Sequence, residues 1–381
     1  MSWEKVKLGN VSESCLGKML DQRKNKGTYK PYLANVNVRW GSFDLNNLQE
    51  MKFEEDEDER YGIKYGDLII CEGGEPGRCA IWKEELPNMK IQKALHRVRV
   101  NEEMDYRYVY YWFLLAGKQG ALKQYYTGAT IMHIPGQKLK EVVIDKPPLG
   151  VQRRIGYYLE SFDNLIENNQ KQIKLLEEAA QRLYKRWFID LRFPGYENVK
   201  IVDGVPEKWE KVSLAEIAPI VTGKKDANFG INSGKYLFFT CAQEPIKAPS
   251  YSFDCDAVIL AGNGDFNVKL YRGRFEAYQR TYVFSPYNSN NLYLLYYAVK
   301  DNMCQLFQGA SGSTIKFLTR RMLEDILVFV PDEKVLIQFN RNCELFQKKI
   351  EALKAQIILA QEVRDRLLPK LMSGEIEVCF E

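Results

Sequence analysis

The chain has 381 residues, 45% of them hydrophobic and 13% aromatic, with 54 basic against 50 acidic side chains and a net charge of +4. That is enough for two ordinary domains with sizeable cores, while the net charge is too small to argue for nucleic acid by itself. No run of eighteen apolar residues exists, and Met1-Ser2-Trp3-Glu4-Lys5 lacks the apolar core of a signal peptide, so the expectation is a soluble, cytoplasmic protein without a membrane span.

The eight cysteines (15, 71, 79, 241, 255, 304, 343 and 379) form no CxxC pair, and His96 and His133 are the only imidazoles. That usage reads as reduced small hydrophobes, not a disulfide or zinc framework, and no metal site is expected.

Residues 1–148 read as a mixed domain of short strands with a helix or two. Basic groups gather at Lys18, Arg23, Lys24, Lys26, Lys30 and Arg39, whereas Glu54-Glu55-Asp56-Glu57-Asp58-Glu59 reads as a solvated loop or helix start. Gly66-Asp67-Leu68-Ile69-Ile70-Cys71-Glu72-Gly73-Gly74 predicts a buried strand between turns, and 79–82 and 95–100 predict further strands. The run 106–117 predicts a buried helix. It is followed by Lys123-Gln124-Tyr125-Tyr126-Thr127-Gly128-Ala129-Thr130, a loop rich in donors, aromatics and glycine that suits phosphates and base edges.

From 149 to 191 the pattern becomes a long helix. Ile155, Leu159, Phe162, Ile166, Asn169, Ile173, Leu176, Ala180, Leu183 and Trp187 alternate at steps of four and three, the seam of a coiled coil that needs a partner. Adding 184 to each number gives Phe339, Cys343, Phe346, Ile350, Leu353, Ile357, Ala360, Arg364, Leu367 and Leu371. This second seam lies in a predicted helix at 334–372 and has a single charged break, so the partner is encoded in the same chain.

The same offset relates Thr130-Ile131 to Thr314-Ile315 and 108–115 to 292–299, while Trp3-Glu4-Lys5-Val6 recurs as Trp209-Glu210-Lys211-Val212 at an offset of 206. The protein is thus an internal duplication whose first globular part is some 22 residues longer. Residues 192–333 form a linker, with a Pro194-Gly195 break, and a second mixed domain; 373–381 form a short tail. In the second domain Lys269, Arg272, Arg274 and Arg280 make a basic patch, and Gln305, Gln308, Gly309, Ala310, Ser311, Gly312, Ser313, Thr314, Ile315 and Lys316 repeat the polar loop. Repetition with changed side chains predicts a recognition loop. The fold class is α+β, with two tandem mixed domains separated by two long helices that pair as a coiled coil in an internal duplication; if a pseudo-two-fold axis perpendicular to the helices relates the two copies, the coiled coil is antiparallel.

A search for chemistry finds none. Lys146-Pro147-Pro148-Leu149 and Ala261-Gly262-Asn263-Gly264-Asp265 lack the flanks of a base methyltransferase. There is no GxxxxGK[ST] phosphate loop, and Pro331-Asp332-Glu333-Lys334 matches a nuclease cluster only in its letters. The chain reads as a binder without a catalytic residue, metal or cofactor of its own.

Several stretches resemble the specificity subunit of Type I restriction-modification systems (HsdS). They are Gly66 through Arg78, Gly128-Ala129-Thr130-Ile131, Pro147-Pro148-Leu149-Gly150-Val151-Gln152-Arg153-Arg154-Ile155, and Leu367-Leu368-Pro369-Lys370-Leu371-Met372-Ser373-Gly374-Glu375-Ile376. The second half departs from the pattern, with Pro331-Asp332-Glu333-Lys334-Val335 in place of the Pro-Pro-Leu helix start. The resemblance implies two target-recognition domains, each reading one part of a split, asymmetric DNA sequence. It also implies two modification subunits that bring S-adenosylmethionine and methylate adenine N6, and a restriction subunit that uses ATP with magnesium.

A helix of about 33 residues is roughly 50 Å long, which suggests a ruler for the unread gap. The expected DNA contacts in the first domain are Arg23, Lys24, Lys93, Arg97, Lys123, Tyr125, Tyr126, Thr127 and Thr130; in the second they are Lys224, Lys225, Lys269, Arg272, Arg274, Ser311, Ser313, Thr314 and Lys316. Two other readings are a self-contained DNA methyltransferase or nuclease, and a coiled-coil scaffold that binds DNA without sequence preference.

Overall fold

The computed structural model describes residues 3–21, 23–312 and 315–378. The chain forms two compact units, Met1–Asn169 with Ala355–Glu381 and Gln170–Lys354. Two long helices, Leu149–Tyr184 and Glu333–Ser373, each contribute to both. The first continues as a π-turn over Lys185–Ile189.

The first unit holds strands β1 (Glu4–Lys7), β2 (Ser12–Leu16), β3 (Thr28–Leu33), β4 (Gln49–Phe53), β5 (Leu68–Cys71), β6 (Cys79–Ile81), β7 (Lys90–Ile91) and β8 (Leu95–Val100), helix α1 (Tyr106–Gln119) and strand β9 (Val143–Lys146). A central sheet in the order β2-β8-β5-β6 stands beside a smaller sheet β4-β3-β7. Strand β5 is apolar throughout because both its faces are covered, and all four of its residues are fully buried. Helix α1 begins where Asp105 accepts the amides of Arg107 and Tyr108, and stops at Gly120, whose φ of 71° suits glycine. Its buried face, with Tyr108, Tyr111 and Phe113, packs in one core with Ile155 and Leu159 of the first long helix and Leu368 and Leu371 of the second. Each such fully buried aliphatic side chain stabilises by roughly 1.5–3 kcal/mol. Asn169 donates to Gln356 (3.2 Å) and Arg364 to Asp163 (2.5 Å), so numbers rise on one helix as they fall on the other and the pair is antiparallel.

The second unit holds β10 (Glu210–Ser213), β11 (Ile220–Thr222), β12 (Tyr236–Phe239), β13 (Ile246–Ala248), β14 (Phe253–Ala261), β15 (Val268–Ala277), β16 (Thr281–Phe284), helix α2 (Leu292–Asp301) and β17 (Leu327–Val330). Its sheet has six strands in the order β11-β16-β14-β15-β12-β13. The first four match β2-β8-β5-β6 in order. Here Phe339 and Cys343 of the second long helix are buried with Tyr184, Trp187 and Phe188 from the end of the first, and Phe188 meets Phe339 edge-on at 4.8 Å. Burial pushes the Cys343 thiol pKa well above its ordinary value.

The repeated Trp-Glu-Lys-Val stretch acquires a physical reason. In each unit it opens a strand that pairs antiparallel with the strand running into a long helix, Glu4 opposite Lys146 and Glu210 opposite Val330. Each domain is closed at that ladder.

The acidic run contains the expected helix start and leaves Glu54, Glu55, Asp56 and Glu59 exposed, but two of its carboxylates are not solvated. Glu57 and Asp58 lie on a short helix, Glu57–Tyr61, and turn inward: Glu57 pairs with Lys18 at 2.5 Å, and Asp58 with Lys30 at 2.6 Å and Lys90 at 3.1 Å. Lys18 and Lys90 are buried, so their ammonium groups need those carboxylates. Two of the charges in the expected basic patch are therefore neutralised inside the domain.

Candidate nucleic-acid interface

The polar loop of each domain folds into the same small hairpin. In the first, Thr127 and His133 exchange backbone hydrogen bonds of 2.8 and 3.0 Å; in the second, Ser311 and Phe317 do so at 3.1 and 2.8 Å. Both hairpins hang on the glycine turn after the central buried strand, His133 beside Gly73 and Phe317 beside Asn263. The next amide fixes the base, Ile134 to Glu72 and Leu318 to Gly262, each at 2.8 Å. Gly128 and Gly312 have φ of 102° and 101°, and a Cβ at either would lie 2.3 or 2.2 Å from the carbonyl oxygen of Ile131 or Ile315. Only glycine fits there.

Around the first hairpin, Lys123 is exposed on the turn Ala121–Tyr125, and Thr130 is exposed at the tip. The neighbouring side chains are committed inside the domain. The Tyr125 hydroxyl accepts the Val143 amide (3.1 Å), Tyr126 donates to the Pro76 carbonyl (2.6 Å), and Thr127 Oγ1 stands 3.1 Å from His133 Nε2. Arg23 and Lys24 are exposed on a turn whose amides Asp21 caps at 3.0 and 3.2 Å. Lys93, also exposed, donates its amide to the Lys18 carbonyl (2.8 Å) at the base of that segment.

Arg97 is a correction. Its side chain is 1% exposed; Nη1 donates to the carbonyls of Glu59, Arg60 and Gly62 at 2.9–3.0 Å, and Nη2 to Glu13 at 2.8 Å. It ties the short acidic helix to the sheet and is withdrawn from any surface.

In the second domain Lys224 and Ser311 are exposed. Lys225 lies over the Phe229 ring at 4.6 Å, and Lys316 over Phe307 at 4.1 Å while donating to the Phe307 carbonyl. Lys269 is half-buried, donates to the Ala242 carbonyl (2.8 Å) and to Asn267, and has its pKa lowered by desolvation. Arg274 pairs across the strands with Asp254 at 3.0 Å, and Arg272 with Asp256 at 3.4 Å and Glu344 at 3.3 Å. These two arginines are substantially neutralised, and Arg272 ties its sheet to the second long helix. Ser313 and Thr314 lie outside the described residues.

Sequence reasoning missed Ile131, Met132 and Ile315, the apolar side chains at the hairpin tips, which are 73%, 49% and 61% exposed. The signal was present as the repeated Thr-Ile at the constant offset. Among the described residues, no group of three or more His, Cys, Asp or Glu is placed to hold a metal ion, and no helix is long and apolar enough to cross a membrane.

Comparison with known proteins agrees with this duplicated architecture. The family described as "Type I restriction modification DNA specificity domain" matches residues 1–178 and again 206–355. The chain is 35% identical over 176 residues to the Type I restriction enzyme EcoDI specificity subunit of Escherichia coli, covering 45% of this chain and 39% of that one. It is 26% identical over 349 residues to the MjaIX specificity subunit of Methanocaldococcus jannaschii, covering 82% and 78%. The match thus spans well under half the length of the E. coli relative. The crystal structure of the S subunit of a Type I restriction-modification system from M. genitalium shares the fold, with a TM-score of 0.60 at 17% identity over 97% of this chain and 96% of that one. With both compact units matched by the same domain, the chain belongs to the family of the Type I restriction modification DNA specificity domain.

Proposed function

We propose that the chain is the DNA-reading subunit of a Type I restriction-modification complex. Each unit reads one part of a bipartite, asymmetric duplex site, and the length of the long helices sets the unread gap. The observation that carries this reading is the twofold occurrence of one domain with one hairpin, on sheets that share four strands and differ beyond them. A common frame with divergent surfaces suits two readers of different half-sites. Arg23, Lys24, Lys93, Lys123 and Lys224 are exposed cations suited to phosphates, and Thr130 and Ser311 are exposed hydroxyls suited to base edges.

The chemistry falls to partners. Two modification subunits carrying S-adenosylmethionine methylate adenine N6 at the site this chain selects, and a restriction subunit using ATP and magnesium joins them; this chain is non-catalytic and works in the cytoplasm. A selection tests the reading. The chain, co-expressed with its modification subunit, is incubated with random duplexes at about 0.15 M salt and the bound fraction is sequenced. The expected result is a motif of two fixed parts separated by a constant number of unread base pairs. A bound pool that stays random, with binding that fades as salt rises, is the behaviour of phosphate contacts alone and overturns it.

A further inference from the structure

One tight turn has the same backbone frame in both domains. In Gln92-Lys93-Ala94-Leu95 and in Tyr278-Gln279-Arg280-Thr281 the last amide donates to the first carbonyl, at 3.1 and 2.8 Å. The third carbonyl, that of Ala94 or Arg280, accepts the amide of Glu72 or Gly262 at 2.8 Å, which fastens the turn to the residue that also holds the hairpin. Two residues further on, a side chain fixes the residue after the hairpin: His96 Nε2 is 3.1 Å from the Ile134 carbonyl, and the Tyr282 hydroxyl donates to the Leu318 carbonyl at 3.0 Å. Ala94 and Arg280 are therefore equivalent positions beside equivalent hairpins. One presents a methyl group and the other a guanidinium.

Arg280 lines an open cleft with Thr222, Gln279, Tyr282 and Phe317. It is exposed, and among the described residues no carboxylate is paired with it. Arg272 and Arg274 on the preceding strand, by contrast, are held by Asp256, Glu344 and Asp254. The other polar side chain of the turn is committed, since Gln279 donates to Asp226 at 2.8 Å. The first turn carries its cation one position earlier, at Lys93, a point charge suited to phosphate; the second has Gln279 there and sets a planar fork at the next residue. A guanidinium has donors only. On the major-groove edges of the bases, guanine alone offers two adjacent acceptors, O6 and N7, whereas adenine and cytosine place an amino donor there and thymine has one acceptor beside a methyl group. We propose that Arg280 reads a guanine in the half-site recognised by the second domain, donating to O6 and N7, and that the first domain makes no such demand because Ala94 has nothing to donate. This deepens the proposed function and rests on it.

The test compares the full chain with Arg280→Ala and Arg280→Lys, each co-expressed with the modification subunit, in the random-duplex selection. The expected result for Arg280→Ala is an unchanged gap, one unchanged half-site, and a second half-site in which a single guanine position accepts any base. Titration on the original duplex is expected to show a loss of roughly tenfold to a hundredfold, and on a duplex with that guanine pair replaced, no further loss. Arg280→Lys keeps the charge without the fork and is expected to recover only part of the preference. An affinity that falls by one factor on every duplex, with a shallower salt dependence and an unchanged motif, makes Arg280 a phosphate contact and overturns the assignment. Full recovery of affinity and motif by Arg280→Lys, an unaltered motif at unaltered affinity, or a parent motif without guanine in either half-site overturns it too. Each of these leaves the proposed function standing. If the parent chain itself returns a random pool, the proposed function fails and the guanine assignment fails with it.

Discussion

Arg364, the single charge in the second helical seam, has its Nη1 2.5 Å from Asp163 Oδ1 on the first helix. The other carboxylate oxygen of Asp163 accepts the Tyr111 hydroxyl at 2.6 Å, and Asp365, next to Arg364, holds Lys118 at 2.7 Å. Tyr111 and Lys118 belong to α1, so one polar network fixes the recognition domain to both helices of its unit. It also limits register, because a slide of one heptad would strand a partly buried charge.

Replacing Arg364 by Leu leaves Asp163 partly buried with only the tyrosine hydroxyl. The pair is 18% and 25% exposed, so the expected loss is roughly 1–3 kcal/mol, below the 3–5 typical of a fully buried pair. Asp163→Leu combined with Arg364→Leu is expected to lose less than the two single changes added together. Thermal melting of the four proteins measures this, and strict additivity would show that the two groups do not interact.

Asp58 makes a second case for charges that point inward. The hydrogen bond from Lys30, with Lys90 beside it, holds its carboxyl pKa below the ordinary value. A depressed carboxylate pKa contributes stability above about pH 4 that is lost as pH falls through the lowered value. Asp58→Asn removes the anion from buried Lys90, and with the carboxylate partly open to water the expected cost is near the low end of about 1–3 kcal/mol. Glu54→Gln and Glu55→Gln, at exposed positions, are expected to stay within about 0.5 kcal/mol. Equal melting temperatures for all three variants would return the acidic run to the status of a solvated segment.

The parts of the fold that follow from periodicity were legible in the sequence. Heptads locate the long helices because the seam side chains must be buried, and the run Leu68-Ile69-Ile70-Cys71 marks a central strand because both faces are covered. The recurrence of Trp-Glu-Lys-Val marks the start of the second domain. The extra strands β12 and β13 of the second sheet were not legible: β13 is a three-residue edge strand without an apolar run, and the four apolar residues of β12 are too short a run to tell a strand from a turn of buried helix. Arg97 misled for a definite reason: its partners are mostly backbone carbonyls at 59, 60 and 62, and no side-chain pattern announces carbonyls. Lys18 and Lys30 misled similarly, because their acids stand more than twenty-five residues away and only the fold brings them together. The hairpin tips were legible as a repeat, but not as a site, because exposure is a property of the folded chain.

His96 supplies a pH dependence of the opposite chemical type. Its ring is 1% exposed, and Nε2 donates to the Ile134 carbonyl at 3.1 Å, which fixes the neutral tautomer with the proton on Nε2. Desolvation lowers its pKa from 6.5. The unfolded chain therefore binds more protons than the folded one between the lowered value and 6.5, so stability rises with pH across that window and is fully present above it. The first domain is expected to melt progressively lower as pH falls below 6.5, and His96→Gln, which keeps a donor but cannot titrate, is expected to flatten that slope. Parallel slopes in melting curves taken between pH 5 and 7.5 would assign the dependence to other groups.

The helices yield the prediction that most directly separates spacing from reading. Removing residues 166–172 and 350–356 together deletes one heptad from each long helix at equivalent positions, so every remaining seam residue keeps its phase. Seven residues rise about 10 Å, or roughly three base pairs at 3.4 Å each. The hairpins and exposed cations of both domains are untouched by the deletion. A binding selection on the shortened chain with its modification subunit is therefore expected to return the same two half-sites around a gap shorter by about three base pairs. An unchanged gap would mean that helix length does not set it, and altered half-sites would mean that the helices take part in reading bases, so either result ends the ruler account.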